Sequence, residues 1–231
     1  NTSSSNNYSI VVPPDLKMGK SNPLVNLYLL AYNLGCAGGW AFCLYLLFSN
    51  KDNSLEQIRE NVFPTLKIVQ TFAVLEIVHA MLRLVRSPVF TTLMQVASRL
   101  VVVWIYMNYN FGLGFVMAAT SWSLVEVPRY LFYAFNLLTE VPYALFWLRY
   151  SLFAILYPTG ISGELLCLWT TLVALKKEMA YSITDPLFLL YAVSILVLGS
   201  YVPGSPFMYG HMVKQRKTSF KKRADQAKKQ D

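Results

Sequence analysis

Between residues 24 and 209 the chain settles repeatedly into apolar runs that approach or exceed the ~20 residues an α-helix needs to cross a bilayer. Few folds survive that constraint. Unpaired backbone groups are costly in hydrocarbon, so a spanning segment must be a helix or a strand of a closed barrel. These runs lack the two-residue alternation of barrel strands. The expected fold is therefore all-α, a polytopic membrane helical bundle. The runs fall at 24–48, 62–85, 89–107, 111–138, 143–156, 161–175 and 187–209. Counted singly they are seven. With 143–175 read as one broken or partly re-entrant element they give six transmembrane helices, and both counts stay open at this level.

The net charge of +8 would invite a nucleic-acid partner if it were spread over a surface. It is not. Eight basic residues (Lys214, Arg216, Lys217, Lys221, Lys222, Arg223, Lys228 and Lys229) face only Asp225 and Asp231 after the last apolar run. The positive-inside rule places such a tail in the cytosol, where it meets anionic lipid or water, so membrane lipid and no nucleic acid is expected. The organisation that follows is a mobile polar tail over 1–23, a membrane domain over 24–210 and a basic cytosolic tail over 211–231. No cleavable signal pattern precedes the first run. The final Lys228-Lys229-Gln230-Asp231 matches a dilysine retrieval pattern for the endoplasmic reticulum. Cys36, Cys43 and Cys167 all lie in apolar runs and read as small core residues.

Charges inside apolar runs are functional candidates by default. Glu76, His79 and Arg83 are spaced by three and four and are expected on one inward helix face. Glu126 and Arg129 are placed to neutralise each other, and Arg99 and Arg149 lie in neighbouring runs. Gly35, Gly38 and Gly39 suggest a face for close helix packing. The most pointed feature is 148–164, LRYSLFAILYPTGISGE. A break is expected at Tyr157-Pro158-Thr159-Gly160, followed by a new helix capped with the help of Ser162 and carrying Glu164. Gly160 and Gly163 would permit the turn and a close backbone approach. Tyr157 precedes Glu164 by seven residues, about 10 Å along a regular helix and nearly the same face. A phenol and a carboxylate so placed can act as an acid/base pair.

The runs SWSLVEVPRYLFYAF (121–135) and LRYSLFAILYPTGISGE (148–164), with AVLEIVHAMLRLVRSP (73–88) and QVASR (95–99), resemble the very-long-chain 3-hydroxyacyl-CoA dehydratases, the protein-tyrosine-phosphatase-like A family. The resemblance covers most of 24–213. It implies six spans, an endoplasmic-reticulum membrane location with both termini cytosolic, and the third step of fatty-acid elongation: (3R)-3-hydroxyacyl-CoA is dehydrated to trans-2-enoyl-CoA. Through Y-P-x-G-x-x-x-E it implies Tyr157 and Glu164 as catalytic. The family's phosphatase-like pattern begins His-Cys, whereas this chain has His79-Ala80. Without the thiolate, phosphatase chemistry by that route is not available.

Such a reaction consists of proton transfers, which call for no cofactor or metal. Glu164 is expected to take the C2 proton and Tyr157 to donate to the departing C3 hydroxyl; the reverse division of roles stays open. The acyl chain needs a long apolar passage. The CoA phosphates need cations at the cytosolic mouth, for which Arg83, Arg86, Arg129, Arg149 and Lys214 are the substrate-binding candidates. Other elongation enzymes are expected partners. Two rival readings remain. Gly160-Ile161-Ser162-Gly163 is a literal GxSG, the nucleophile pattern of an intramembrane serine protease, but it needs a histidine base, and His79 and His211 lie far off in sequence. A transporter or non-enzymatic membrane scaffold would use Glu76, Glu126, Arg99 and Arg129 as ion pairs.

Overall fold

The structure, a computed structural model, describes residues 22–85, 87–109 and 112–228. Eight α-helices and one short 3-10 turn make up its regular structure: α1 (Pro23–Ser49), α2 (Leu55–Phe72), α3 (Val74–Met81), α4 (Val89–Trp104), the turn Tyr106–Tyr109, α5 (Leu113–Leu138), α6 (Tyr143–Ser151), α7 (Phe153–Glu178) and α8 (Pro186–Ala227). The N-terminal tail, Arg86 and the Lys229-Gln230-Asp231 end lie outside the described residues.

Helix starts follow local chemistry. Asn22 accepts from the Leu24 amide and Pro23 occupies the first turn of α1, where a missing N–H costs nothing. Ser54 and Gln57 form a capping box, so α2 begins at Leu55. The polar stretch 49–61 between the first two apolar runs is thus half helix, because a reciprocal cap overrides a polar composition. Asp185 caps α8 through the Leu187 amide, again with proline in the first turn.

Among the described residues five stretches are long and apolar enough to cross a membrane: α1, α2 with α3, α4 with the 3-10 turn, α7 and α8. α5, of 26 residues, is the sixth long helix. Its buried residues, among them Gly114, Ser121, Trp122, Ser123, Glu126 and Tyr130, place it at the centre, packed against α1 and α7. A helix screened by protein on most sides can carry polar groups that lipid would reject. The main core joins α1, α2, α5 and α7 through Trp40, Leu66, Phe115 and Leu168.

The open question over 143–175 resolves into one broken element. α6 has nine residues, too short to span, and α7 follows after the single joint residue Leu152. α8 runs antiparallel beside both helices without a change of register: Phe220 packs on Phe146, Arg216 bonds Ser151, Tyr209 meets Phe153 and Tyr157, and Tyr201 reaches Glu164. Six membrane-length elements result.

The break expected at Tyr157-Pro158-Thr159-Gly160 is not where the helix yields. α7 is continuous through Pro158, and the irregularity sits six residues earlier at Leu152. A proline disturbs the carbonyl four residues before it and the chain N-terminal to it, so the distortion is absorbed at the joint. Thr159 also donates to the carbonyls of Ile155 and Leu156, at 3.1 and 3.2 Å. Ser162 is correspondingly no cap; it donates back to Pro158 O at 2.9 Å inside the helix.

Close helix packing is also placed differently from expectation. A Cβ on Gly35 or Gly38 would meet nothing within 4 Å, and one on Gly39 would meet only a Val69 side chain. The tight crossing is α5 on α7: a Cβ on Gly163 would lie 2.5 Å from the Ala118 amide nitrogen, and one on Gly114 2.9 Å from Gly163 O. The close approach expected at Gly163 is real, and it sets the distance between the two helices that carry the site.

Candidate active site

Two clusters of polar groups occupy the interior. The first joins α3, α4 and α5. The Arg129 guanidinium donates to both oxygens of Glu76, at 3.2 and 2.7 Å, and through Nε to Glu126. Arg99 donates to the other Glu126 oxygen, and the Tyr130 hydroxyl donates to Glu76. Two carboxylates and two guanidiniums thus form a neutral chain, Arg99–Glu126–Arg129–Glu76, with Glu126 only 2% exposed. Paired this way, buried charges tie three helices together; with one partner removed they would be strongly destabilising.

Of Glu76, His79 and Arg83, expected on one inward face, the first two look into the bundle and Arg83 does not. His79 is buried beside the Glu76 cluster: Tyr28 of α1 lies 2.8 Å from its Nε2, and the Tyr32 ring, which also meets Tyr130, meets it edge-on. Arg83 lies beyond the end of the helix. It takes φ 56 at the position where a Schellman ending usually has glycine, with Leu84 N donating to His79 O and Arg83 N to Ala80 O. Its side chain is exposed. Arg129 is committed to two carboxylates, Lys214 is exposed on α8, and Arg86 is outside the described residues.

The second cluster lies between α5, α7 and α8. Glu164, twelve residues into α7, accepts from Trp122 Nε1 of α5 at 2.9 Å on one oxygen and from the Tyr201 hydroxyl of α8 at 2.8 Å on the other. No cation bonds to it among the described residues. Tyr157 faces the same way: its hydroxyl donates to Ser205 O of α8 at 3.4 Å. Tyr201 and Ser205 are four residues apart, one turn of α8, so their partners Tyr157 and Glu164 address one face of that helix. Thr159 and Ser121 bond at 2.9 Å beside them, holding α7 to α5. Prolines flank the site on both helices, Pro158 on α7 and Pro203 and Pro206 on α8.

A carboxylate with one neutral donor on each oxygen is oriented while still having lone pairs to accept a proton. A weakly anchored phenol two turns away on the same helix can give one. The pair therefore has the elements of general acid/base chemistry on a small group bracketed between them. Trp122 and Tyr201 escaped the sequence reading. The available signal was a tyrosine and a tryptophan in apolar runs, since a buried indole N–H or phenol must find a partner. Which partner they find is fixed only by packing across helices.

The serine-protease arrangement is not assembled. The Ser162 hydroxyl is exposed and bonded to its own helix, and His79 is held by Tyr28.

Residues 70–222 match the family described as protein tyrosine phosphatase-like protein, PTPLA. The chain is 42% identical over 205 residues to a very-long-chain (3R)-3-hydroxyacyl-CoA dehydratase of Caenorhabditis elegans, with 84% of this chain and 94% of the relative covered. It is 40% identical over 207 residues to one of Arabidopsis thaliana, covering 85% and 94%. To dehydratase 2 of Homo sapiens it is 37% identical over 210 residues, covering 84% and 81%. No solved structure matches the chain significantly.

Proposed function

Because the chain belongs to the protein tyrosine phosphatase-like family, PTPLA, we propose that it is a hydro-lyase that dehydrates very-long-chain (3R)-3-hydroxyacyl-CoA to the trans-2-enoyl-CoA in fatty-acid elongation. The observation that carries the mechanism is the unpaired Glu164 carboxylate, oriented by Trp122 and Tyr201 on the helix face it shares with Tyr157. The thioester carbonyl acidifies C2. Glu164 takes the C2 proton, the electron pair of that C–H bond becomes the C2–C3 double bond, and the C3–O bond breaks. Tyr157 protonates the departing hydroxyl, so water leaves; the proton on Glu164 then restores the phenol. Each transfer contributes on the order of 10²–10⁴-fold.

The acyl chain runs along the apolar side of α7 and α8, where Ile155, Leu166, Leu196 and Val202 are exposed. The basic stretch of α8 past residue 211 supports a membrane protein with that stretch on the cytosolic side, and an endoplasmic-reticulum membrane suits fatty-acid elongation. Association with the other elongation enzymes follows from a substrate and product that are poorly soluble and pass between successive steps.

The test is direct. Purified protein is given (3R)-3-hydroxyacyl-CoA and enoyl-CoA is followed for wild type, Tyr157→Phe, Glu164→Gln and Ser162→Ala. Turnover by wild type and Ser162→Ala, with loss in the other two, is expected. Full turnover by Glu164→Gln together with loss in Ser162→Ala would overturn the assignment.

A further inference from the structure

Beyond Tyr157, on the side away from Glu164, α6 and α8 continue side by side and hold an unusual concentration of cations. Phe220, Phe146 and Tyr150 form a connected set of rings, with centroids 5.1 and 4.9 Å apart. A guanidinium lies over each: Arg216 over Phe220 at 4.7 Å, Arg223 over Phe146 at 4.3 Å and Arg149 over Tyr150 at 5.6 Å. None has an ion-pair partner among the described residues. Arg149 Nε and Arg223 Nη2 are buried with no acceptor, although Arg149 Nη2 reaches Tyr133 and Arg216 Nε reaches Ser151. Buried charged donors without acceptors are costly, and three like charges on one aromatic platform repel one another. Both costs disappear when a polyanion sits there.

Resting on the dehydratase reading above, we propose that Arg149, Arg216 and Arg223 form the clamp for the phosphates of the CoA moiety. Length supports it. From thioester sulfur to the first phosphorus the pantetheine arm has roughly 13 bonds, about 15 Å when extended at ~1.2 Å per bond. From Tyr157 to Arg149 is eight residues, about 12 Å along α6 and α7, and to Phe146, which Arg223 covers, about 16 Å. A thioester held at Tyr157 and Glu164 thus delivers its phosphates to the guanidiniums. The planar forks suit phosphate oxygens, and the ring faces keep them oriented. Of the cations singled out in the sequence only Arg149 belongs to this clamp; Arg216 and Arg223 come from the stretch that reads as a plain basic tail.

The experiment compares two esters with the same hydroxyacyl group, the CoA thioester and the pantetheine thioester that lacks the phosphates. Wild type should prefer the CoA ester in kcat/KM. Arg216→Gln and Arg223→Gln should each lower that preference by roughly tenfold or more, as expected for one charge-assisted hydrogen bond, and the corresponding Lys variants should recover part of it. An unchanged preference in both Gln variants would overturn the clamp and leave the dehydratase assignment standing. Free CoA gives a readout that needs no turnover: weaker binding by the Gln variants supports the clamp, and equal binding overturns it. Vesicles with and without phosphatidylserine separate the other source of phosphate. A change of preference seen only with phosphatidylserine present would assign the arginines to lipid headgroups and sink the proposal.

Discussion

Glu126 and Glu164 are carboxylates at mid-length of adjacent helices, yet they are held in opposite ways. Glu126 is gripped by Arg99 and Arg129 and sealed from solvent. Glu164 is met only by an indole and a phenol. Trp122 stands between them: Arg99 lies over its ring at 5.2 Å while its N–H points to Glu164. Full charge pairing fixes a carboxylate as anion and makes it a structural joint. Neutral donors fix its direction and leave its proton exchangeable. One bundle thus uses the same side chain for architecture and for chemistry, and the type of partner distinguishes the two.

The widest separation between the two sites should come from removing each carboxylate's charge. Glu164→Gln should abolish turnover, by roughly 10³-fold or more, with thermal melting in detergent close to wild type. Glu126→Gln should leave Arg99 and Arg129 facing an uncharged amide and destabilise the protein by about 3–5 kcal/mol, read as a marked fall in melting temperature and yield. If the two variants gave the same profile, the contrast would be false.

Tyr157→Phe should come next, lowering kcat by roughly 100-fold or more at little cost in stability, because its one bond is a long one to Ser205 O. Tyr201→Phe should be milder, with a loss of about 1.5–3 kcal/mol for one hydrogen bond to a charged group, appearing in kcat with KM nearly unchanged. A fall in melting temperature without a kinetic effect would move Tyr201 to the structural side of the comparison. Ser162→Ala should change neither quantity measurably, since its hydroxyl serves only the Pro158 carbonyl.

What the sequence revealed divides along a physical line. Properties of single residues were legible: apolar runs announce membrane helices, Glu164 announces itself as a carboxylate in hydrocarbon, and Tyr157 follows from spacing on the same helix. Properties of pairs of helices were not. Tyr201 lies 37 residues from Glu164 and Trp122 lies 42 away, and no local pattern joins them. Glu126 and Arg129 were visible as neighbours, whereas the extension of their pair to Arg99 and Glu76 needed α3 and α4 in place. Punctuation misled where context overrides it. Pro158 looks like a stop, but the joint at Leu152 takes up its distortion and α7 continues. Gly35 and Gly38 look like a packing face and border open space, while Gly114 and Gly163 make the close crossing. The basic tail reads as meeting anionic lipid or water, yet α8 carries it onward as helix and turns Arg216 and Arg223 onto aromatic rings.

The proton itself tests the central claim most directly. Substrate carrying tritium in place of the C2 hydrogen that is removed should release its label to water as the wild-type protein turns over. Release should fall by roughly 10³-fold or more in Glu164→Gln while remaining high in Ser162→Ala. Label released by Glu164→Gln at the wild-type rate would contradict the account, because another group would then be removing the C2 proton.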